Sequence, residues 1–296
     1  MPTATEFFGY SAHNLGPLTT TYTAPSSCAT GTEHRVFVNA SDPVRFFAAP
    51  TCGRQTFGDC LPSGSSWDSI KQQTTEFVQG VNFYFSPGIA CPSGWRTVGT
   101  LAHDDDDKVS AFGALATPKW DDLEGAVNLL HPTEFWYGLL EPSETLALCC
   151  PSNYKADAYG DCISTIGPTE SFNYTAMCMT YRELNGVPIS TWDGTTLDRN
   201  QLISIASGTD EPRTTVDDIW LTNTQLDWAV ATYVPAVPLI YKKSDKDGKD
   251  GDDDDDDDDD NDDGDDSAAS TTTSRQEFVS VLGLTLGLLA GAGMLL

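Results

Sequence analysis

Cysteine is the residue type in this sequence whose chemistry is best bounded by number and spacing. Eight occur: Cys28, Cys52, Cys60, Cys91, Cys149, Cys150, Cys162 and Cys178. Structural zinc needs closely spaced ligand pairs, and there is neither a CxxC pair nor ligand spacing among the four histidines, His13, His34, His103 and His131. An even set without metal spacing reads as a disulfide framework in an oxidising compartment; its rival is a cytosolic protein with buried free thiols. Neighbours on a chain seldom bridge each other, because their Cα atoms are about 3.8 Å apart, below the usual disulfide span. Cys149 and Cys150 are therefore predicted to start two separate bridges. The pairing stays open among the roughly 105 that eight cysteines allow.

Carboxylates are the second chemical resource. Asp121, Asp122, Glu124, Glu134 and Glu141 lie near Trp120, Trp136 and Tyr137, a combination suited to a glycosidase with paired acids beside sugar-stacking rings. Among 44 acidic residues such proximity arises cheaply. His103-Asp104-Asp105-Asp106-Asp107-Lys108 could hold a metal and matches an enteropeptidase recognition sequence, but like charges in a row favour an exposed loop. No GxSxG, HExxH, P-loop or GxGxxG occurs. No catalytic residue, metal site or cofactor is expected. Seven tryptophans, among them Trp67, Trp95, Trp192, Trp220 and Trp228, are read as mostly core, with the remainder available to stack on sugars or fill partner pockets.

The formal charge is −28, and residues 242–266 supply −12 of it with sixteen aspartates against four lysines. Both that segment and the acidic remainder repel phosphate, so neither nucleic acid nor an anionic lipid surface is expected as a direct partner. The run Asp252–Asp260 has no apolar surface to bury and repels itself into a solvated stalk that holds cations diffusely. It lacks the glycine-punctuated spacing of a built Ca²⁺ loop.

Beyond the stalk come Ser267-Ala268-Ala269, a polar spacer from Thr271 to Glu277, and the apolar run from Phe278 to Leu296. Small residues, spacer and hydrophobic end, in that order, are the parts of a GPI-attachment signal, with Ser267 as the expected attachment residue. The same nineteen residues would reach about 28 Å as a helix, enough to span a bilayer, so a spanning helix and a tail anchor are the rivals. Sequons at Asn39 and Asn173 join the cysteines in placing the domain outside the cell, at the plasma membrane or cell surface. Met1–Tyr10 has neither a basic segment nor an apolar run of signal-peptide length. An upstream start or another entry route is expected.

These chemical groups need a frame. Runs at His34–Val38, Phe77–Phe85, Met177–Tyr181 and Trp228–Tyr241 alternate or favour β-structure, and Asn185-Gly186 is a hairpin-turn signal. Trp120–Leu130 is the best helical stretch, with acids in its first turn. Cys60-Leu61-Pro62-Ser63-Gly64, Cys91-Pro92-Ser93-Gly94-Trp95 and Cys150-Pro151-Ser152-Asn153-Tyr154 share an order that reads as tight turns beside cysteines rather than an array of binding lobes. The predicted architecture is mainly β with minor helix: an N-terminal segment over 1–16, a disulfide-bridged ectodomain over 17–241, a disordered acidic and Ser/Thr-rich stalk over 242–277, and a C-terminal hydrophobic helix over 278–296.

Three stretches, Leu18-Thr19-Thr20-Thr21-Tyr22-Thr23-Ala24-Pro25-Ser26-Ser27-Cys28, Tyr84-Phe85-Ser86-Pro87-Gly88-Ile89-Ala90-Cys91-Pro92-Ser93-Gly94-Trp95 and Ala147-Leu148-Cys149-Cys150-Pro151-Ser152, resemble a family of uncharacterised surface proteins of filamentous ascomycete fungi. The likeness covers residues 10–180 in pieces. It implies a cysteine-containing ectodomain on a low-complexity stalk with a membrane segment, and carries no assigned reaction. Family members commonly continue into a basic cytoplasmic tail, which this sequence does not show. The expected function is a non-enzymatic surface protein that binds, senses or coats, with cell-wall carbohydrate or a protein as ligand. The alternative is a surface-tethered carbohydrate-active enzyme.

Overall fold

A computed structural model describes residues 4–7, 10–29, 34–43, 46–52, 55–73, 80–104, 109–116, 130–174, 176–181, 186–189, 191–192, 195–196, 202–205, 213–217 and 227–247. The fold is mainly β with little helix, and it carries four disulfides.

The long alternating stretch expected over Trp228–Tyr241 is the spine of the domain. It forms two consecutive strands, β17 (Trp228–Pro235) and β18 (Val237–Lys242), and the chain changes sheets at Ala236 between them. β17 is the middle of a five-stranded sheet between β3 (Arg35–Asn39), itself followed by β4 (Phe46–Ala48), and β10 (Asp161–Pro168), itself followed by β9 (Lys155–Ala156). β18 is the edge of a four-stranded sheet, beside β8 (Glu144–Pro151), then β6 (Trp95–His103), then β7 (Val109–Gly113). Every pairing in these two sheets is antiparallel.

Side chains alternate across a strand, and the core follows that rule. Val36, Val38, Ile163, Ala229, Ala231 and Tyr233 of the five-stranded sheet share one buried cluster with Ala147, Cys149, Val237 and Leu239 of the four-stranded sheet. The opposite face of the four-stranded sheet, with Leu101, Leu146, Leu148 and Ile240, is buried in a second cluster. β8 is thus covered on both faces, and Leu146-Ala147-Leu148-Cys149-Cys150 is buried without a break. A doubly covered strand has no polar face, so it lacks the alternation by which β-structure is read.

The second cluster is completed by α2 (Pro132–Leu139), introduced after α1 (Gly64–Gln73), and by β2 (Tyr10–Asn14). α2 begins where proline suits the first helical turn, with His131 Nδ1 accepting from the Thr133 amide at 3.2 Å. β2 lies between β1 (Ala4–Phe7) and a parallel neighbour, β5 (Gly80–Tyr84). Tyr10 and Ala12 are buried, so the folded body takes in the expected N-terminal segment. It also extends beyond residue 241, through Lys242 and a short helix, α3 (Lys243–Asp247).

From Met177 to Asp217 the chain forms three nested antiparallel pairs. β11 (Met177–Tyr181) pairs with β16 (Arg213–Asp217), β12 (Gly186–Ile189) with β15 (Leu202–Ile205), and β13 (Thr191–Trp192) with β14 (Thr195–Thr196). β11 matches its expected bounds. Asn185-Gly186 does not join paired neighbours: β11 and β12 each pair with later strands, and the chain reverses between β13 and β14, across Asp193-Gly194 in the sequence.

The expected helix over Trp120–Leu130 falls outside the described residues except for Leu130, which is buried coil. The poly-Asp run, Ser267 and Phe278–Leu296 also fall outside them. Among the described residues, no helix is long and apolar enough to cross a membrane.

Candidate functional site

The cysteines pair as Cys28–Cys60, Cys52–Cys178, Cys91–Cys149 and Cys150–Cys162, with Cα–Cα spans of 5.5, 5.1, 5.7 and 5.7 Å. None is free. Cys149 and Cys150 do leave in two directions, because consecutive side chains on β8 face opposite sides. Cys91–Cys149 ties β8 to the loop ahead of β6, and Cys150–Cys162 joins the four-stranded sheet to the five-stranded one. Cys52–Cys178 closes a separation of 126 residues, the span for which loop closure predicts the largest stabilisation, about 4–5 kcal/mol.

The three cysteine-proximal turns are used differently from one another. Gly94 and Asn153 take positive φ, 78° and 71°, and the two turns sit together, Gly94 O accepting from Ser152 N at 3.0 Å and Ser152 Oγ at 2.9 Å. In the first, Ser63 takes the left-handed conformation, φ 52°, and Gly64 starts α1, where a Cβ would collide with the Gly58 carbonyl.

A cavity of about 490 Å³ lies where β17 passes into β18. Trp67 of α1, Phe83 of β5, and Phe135 and Trp136 of α2 give it aromatic walls. They are held by ring contacts, with Trp67–Phe83 and Phe135–Trp136 centroids each 5.1 Å apart. Polar side chains also line it: Lys71, Asn82, Tyr159, Asp161 and Tyr233, together with Tyr10, whose hydroxyl donates to Leu130 O at 2.7 Å. Lys71 Nζ stands 4.4 Å from the centre of the Trp67 ring, a cation–π distance.

The acid in this cavity is positioned by a local turn. Asp157 Oδ1 accepts from the amides of Tyr159 and Asp161, each at 3.0 Å, and Gly160 provides the positive φ, 83°, that closes the hairpin between β9 and β10. The Gly160 carbonyl then accepts from Ala236 N at 2.8 Å, docking the turn on the β17–β18 crossing. Asp161 comes to face Tyr233, 72 positions later. Burial holds the Tyr233 phenol well above its usual titration range, and the negative charges of Asp161 and Asp157 raise it further. The hydroxyl therefore keeps its proton and donates a hydrogen bond to the Asp161 carboxylate. Tyr159 is 49% exposed and forms part of the rim.

Of the acids singled out in the sequence, neither Glu134 nor Glu141 lines this cavity. Asp121, Asp122 and Glu124 lie outside the described residues. Glu134 sits in the first turn of α2, and Glu141 is on the surface, where Lys242 Nζ meets its Oε2 at 3.1 Å with side-chain exposures of 43% and 72%. Sequence reading missed Asp161 because it weighed acids by nearness to tryptophan; the turn spacing Asp157-Ala158-Tyr159-Gly160-Asp161 was the available signal. His103 is engaged with the body, its Nδ1 3.0 Å from Leu140 O and its Nε2 3.5 Å from Tyr137 Oη. Residues 105–108 lie outside the described residues. No group of three or more potential metal ligands occurs among the described residues.

Asn39 ends β3, and its Oδ1 accepts from Ser41 N at 3.0 Å. Asn173 is exposed between the 3-10 turn Thr169–Ser171 and β11. Trp67 and Trp136 are buried and Trp95 and Trp228 partly so; Trp120 and Trp220 lie outside the described residues. No family model, curated protein or solved structure matches this chain.

Proposed function

We propose that the domain works outside the cell as a non-enzymatic binding protein, tethered to the membrane through the segment that follows it. The pairing of all eight cysteines is the observation that carries this reading, since such a framework persists in oxidising compartments. The sequons at Asn39 and Asn173 and the apolar run Phe278–Leu296 agree with it, as does the resemblance to fungal surface proteins. Hydrolysis by paired acids needs two carboxyl groups across the scissile bond, whereas Asp161 is the single carboxylate that lines the cavity among the described residues. That favours binding over catalysis.

The test is labelling of intact cells with a membrane-impermeant amine reagent, then treatment with phosphatidylinositol-specific phospholipase C. The reading expects labelling before lysis, no titratable thiol in the unreduced protein, and release by the lipase. Labelling with retention assigns Phe278–Leu296 to a spanning helix and leaves the surface reading standing. Labelling only after lysis, with reduced cysteines, overturns it.

A further inference from the structure

We infer that the cavity at the β17–β18 crossing binds a neutral polyhydroxylated ring, a mono- or disaccharide, with Asp161 as its central hydrogen-bond acceptor and Tyr159 as a stacking face at the rim. This deepens the reading of the domain as a binding protein and rests on it.

Size comes first. A volume of about 490 Å³ falls among ordinary small-ligand sites, roughly 300–1,000 Å³. A polymer could enter only by one or two units.

The lining then selects the chemistry. Asp161 and Lys71 place one negative and one positive group on the same wall system, so a ligand with net charge gains from one and is opposed by the other. The chain's −28 further disfavours anions. A wholly apolar ligand would fill the aromatic part while stripping water from a carboxylate and an ammonium, a cost that apolar contacts do not offset. A sugar ring meets both demands. Its hydroxyls donate to carboxylate and amide oxygens and accept from ammonium, amide and phenol groups, while its C–H face packs on aromatic rings.

The acceptor is also pre-oriented. Tyr233 donates to the Asp161 carboxylate and stays protonated because it is buried, and the Asp157 turn fixes the backbone on which Asp161 stands. The Tyr233 phenol takes one of the roughly four acceptor sites that a carboxylate offers. Orientation before binding lowers the ordering cost of recognition.

The experiment uses the full chain, solubilised with its disulfides intact. It is titrated with glucose, mannose, N-acetylglucosamine and their β-linked disaccharides, and in parallel with tyramine, choline and cyclohexanol. Tryptophan fluorescence and saturation-transfer NMR report binding. At least one sugar is expected to bind more tightly than the three comparison compounds. Asp161→Ala should weaken it by about tenfold or more, the loss expected of a hydrogen bond to a charged group. Tyr159→Ala should weaken it by roughly three- to tenfold, the scale of one lost stacking contact. Both variants must retain four disulfides and a cooperative thermal transition well above the assay temperature, Asp161→Ala being allowed the modest loss of its bond from Tyr233. If Asp161→Ala fails to fold, Lys71→Met and Tyr159→Ala take its place.

No sugar response up to about 50 mM, far weaker than any specific site, overturns the inference. So does sugar binding indifferent to these substitutions, or preference for tyramine, choline or cyclohexanol. Surface labelling is read independently. A cell-surface chain that ignores sugars defeats this inference alone, and a reduced cytosolic chain that binds them defeats only the extracellular reading.

Discussion

β8 and the arm of nested hairpins from β11 to β16 are both antiparallel β-structure, yet they are held by different forces. Leu146 in β8 is fully buried and stands opposite Ile240 of β18 and Leu101 of β6, all three in one cluster. Each strand of the arm instead pairs with its hairpin partner in a two-stranded sheet. The attachments described for the arm are at its root: Ala49 and Cys178 exchange backbone hydrogen bonds of 3.0 and 2.7 Å, Cys178 bridges to Cys52, and Met177 is buried beside Phe37, Ala48 and Val230. Two-stranded sheets are marginal in water on their own. A strand covered on both faces is held by burial, whereas an arm of paired strands depends on where it is fastened. The dependence is expected to run one way, with the arm needing the body.

The harshest test of that asymmetry is Leu146→Ala. Its neighbours are fixed by strand pairing and collapse little into the space, so the expected loss is about 3–5 kcal/mol, the upper part of the range for buried leucine. Fluorine-labelled tryptophans read the two regions separately in urea, with Trp67 and Trp136 in the body and Trp192 in the arm. All three should shift to lower urea together. A shift confined to Trp67 and Trp136 would mean that the arm stands without the body.

The converse substitution is Cys52→Ser with Cys178→Ser. Removing the fastening should let the arm open about 2–3 kcal/mol more easily, within the span for lost disulfides, while β8 and its two bridges remain. Trp192 is expected to change at lower urea than Trp67 and Trp136, whose own later transition also moves to lower urea because the lost cross-link frees the unfolded 52–178 loop that contains them. A single common transition at all three positions would erase the distinction and make the arm part of the cooperative core.

What the residues disclosed in advance follows the same division. Alternation over Trp228–Tyr241 marked β-structure, although Ala229–Ala231 is buried on both faces, but alternation says nothing about which sheet a strand joins, so the switch at Ala236 was invisible. β8 went unread because burial on both faces removes the pattern. The adjacent Cys149 and Cys150 predicted two divergent bridges from local geometry, whereas their partners depend on tertiary placement that spacing does not contain. In the arm, Asn185-Gly186 and Asp193-Gly194 are equivalent turn signals, and only pairing shows that the chain reverses at the second. Helix α1 carries few apolar residues beyond Trp67 and Ile70 and is fixed through Asp68, which accepts from the amides of Phe57 and Gly58 at 3.1 and 2.8 Å. Such a contact comes from tertiary structure, not from helical periodicity.

The smallest effect concerns Tyr233, where body and cavity meet. Tyr233→Phe removes the hydroxyl bond to Asp161 and should cost about 1 kcal/mol near neutral pH, the usual net worth of a hydrogen bond. The variant's distinguishing mark is its pH dependence. The phenol's raised folded-state value means that the native state holds this proton more tightly than the unfolded chain does. Its contribution is therefore complete below the ordinary tyrosine value of about 10 and is lost as pH climbs toward the folded value, at up to about 1.4 kcal/mol per pH unit. Tyr22, Tyr84 and Tyr154, also raised by burial, remain in both proteins and cancel in the difference. Urea unfolding between about pH 8 and 11 should thus show the gap between parent and Phe variant closing above pH 10. Trp192, reporting the arm in the Cys52→Ser, Cys178→Ser background, should keep its early transition unchanged by Tyr233→Phe, because the arm opens while β17 is still in place. A constant gap through pH 11 would show that Tyr233 is not shielded from water, and an early Trp192 transition that follows Tyr233 would tie the arm to the cavity rather than to its root.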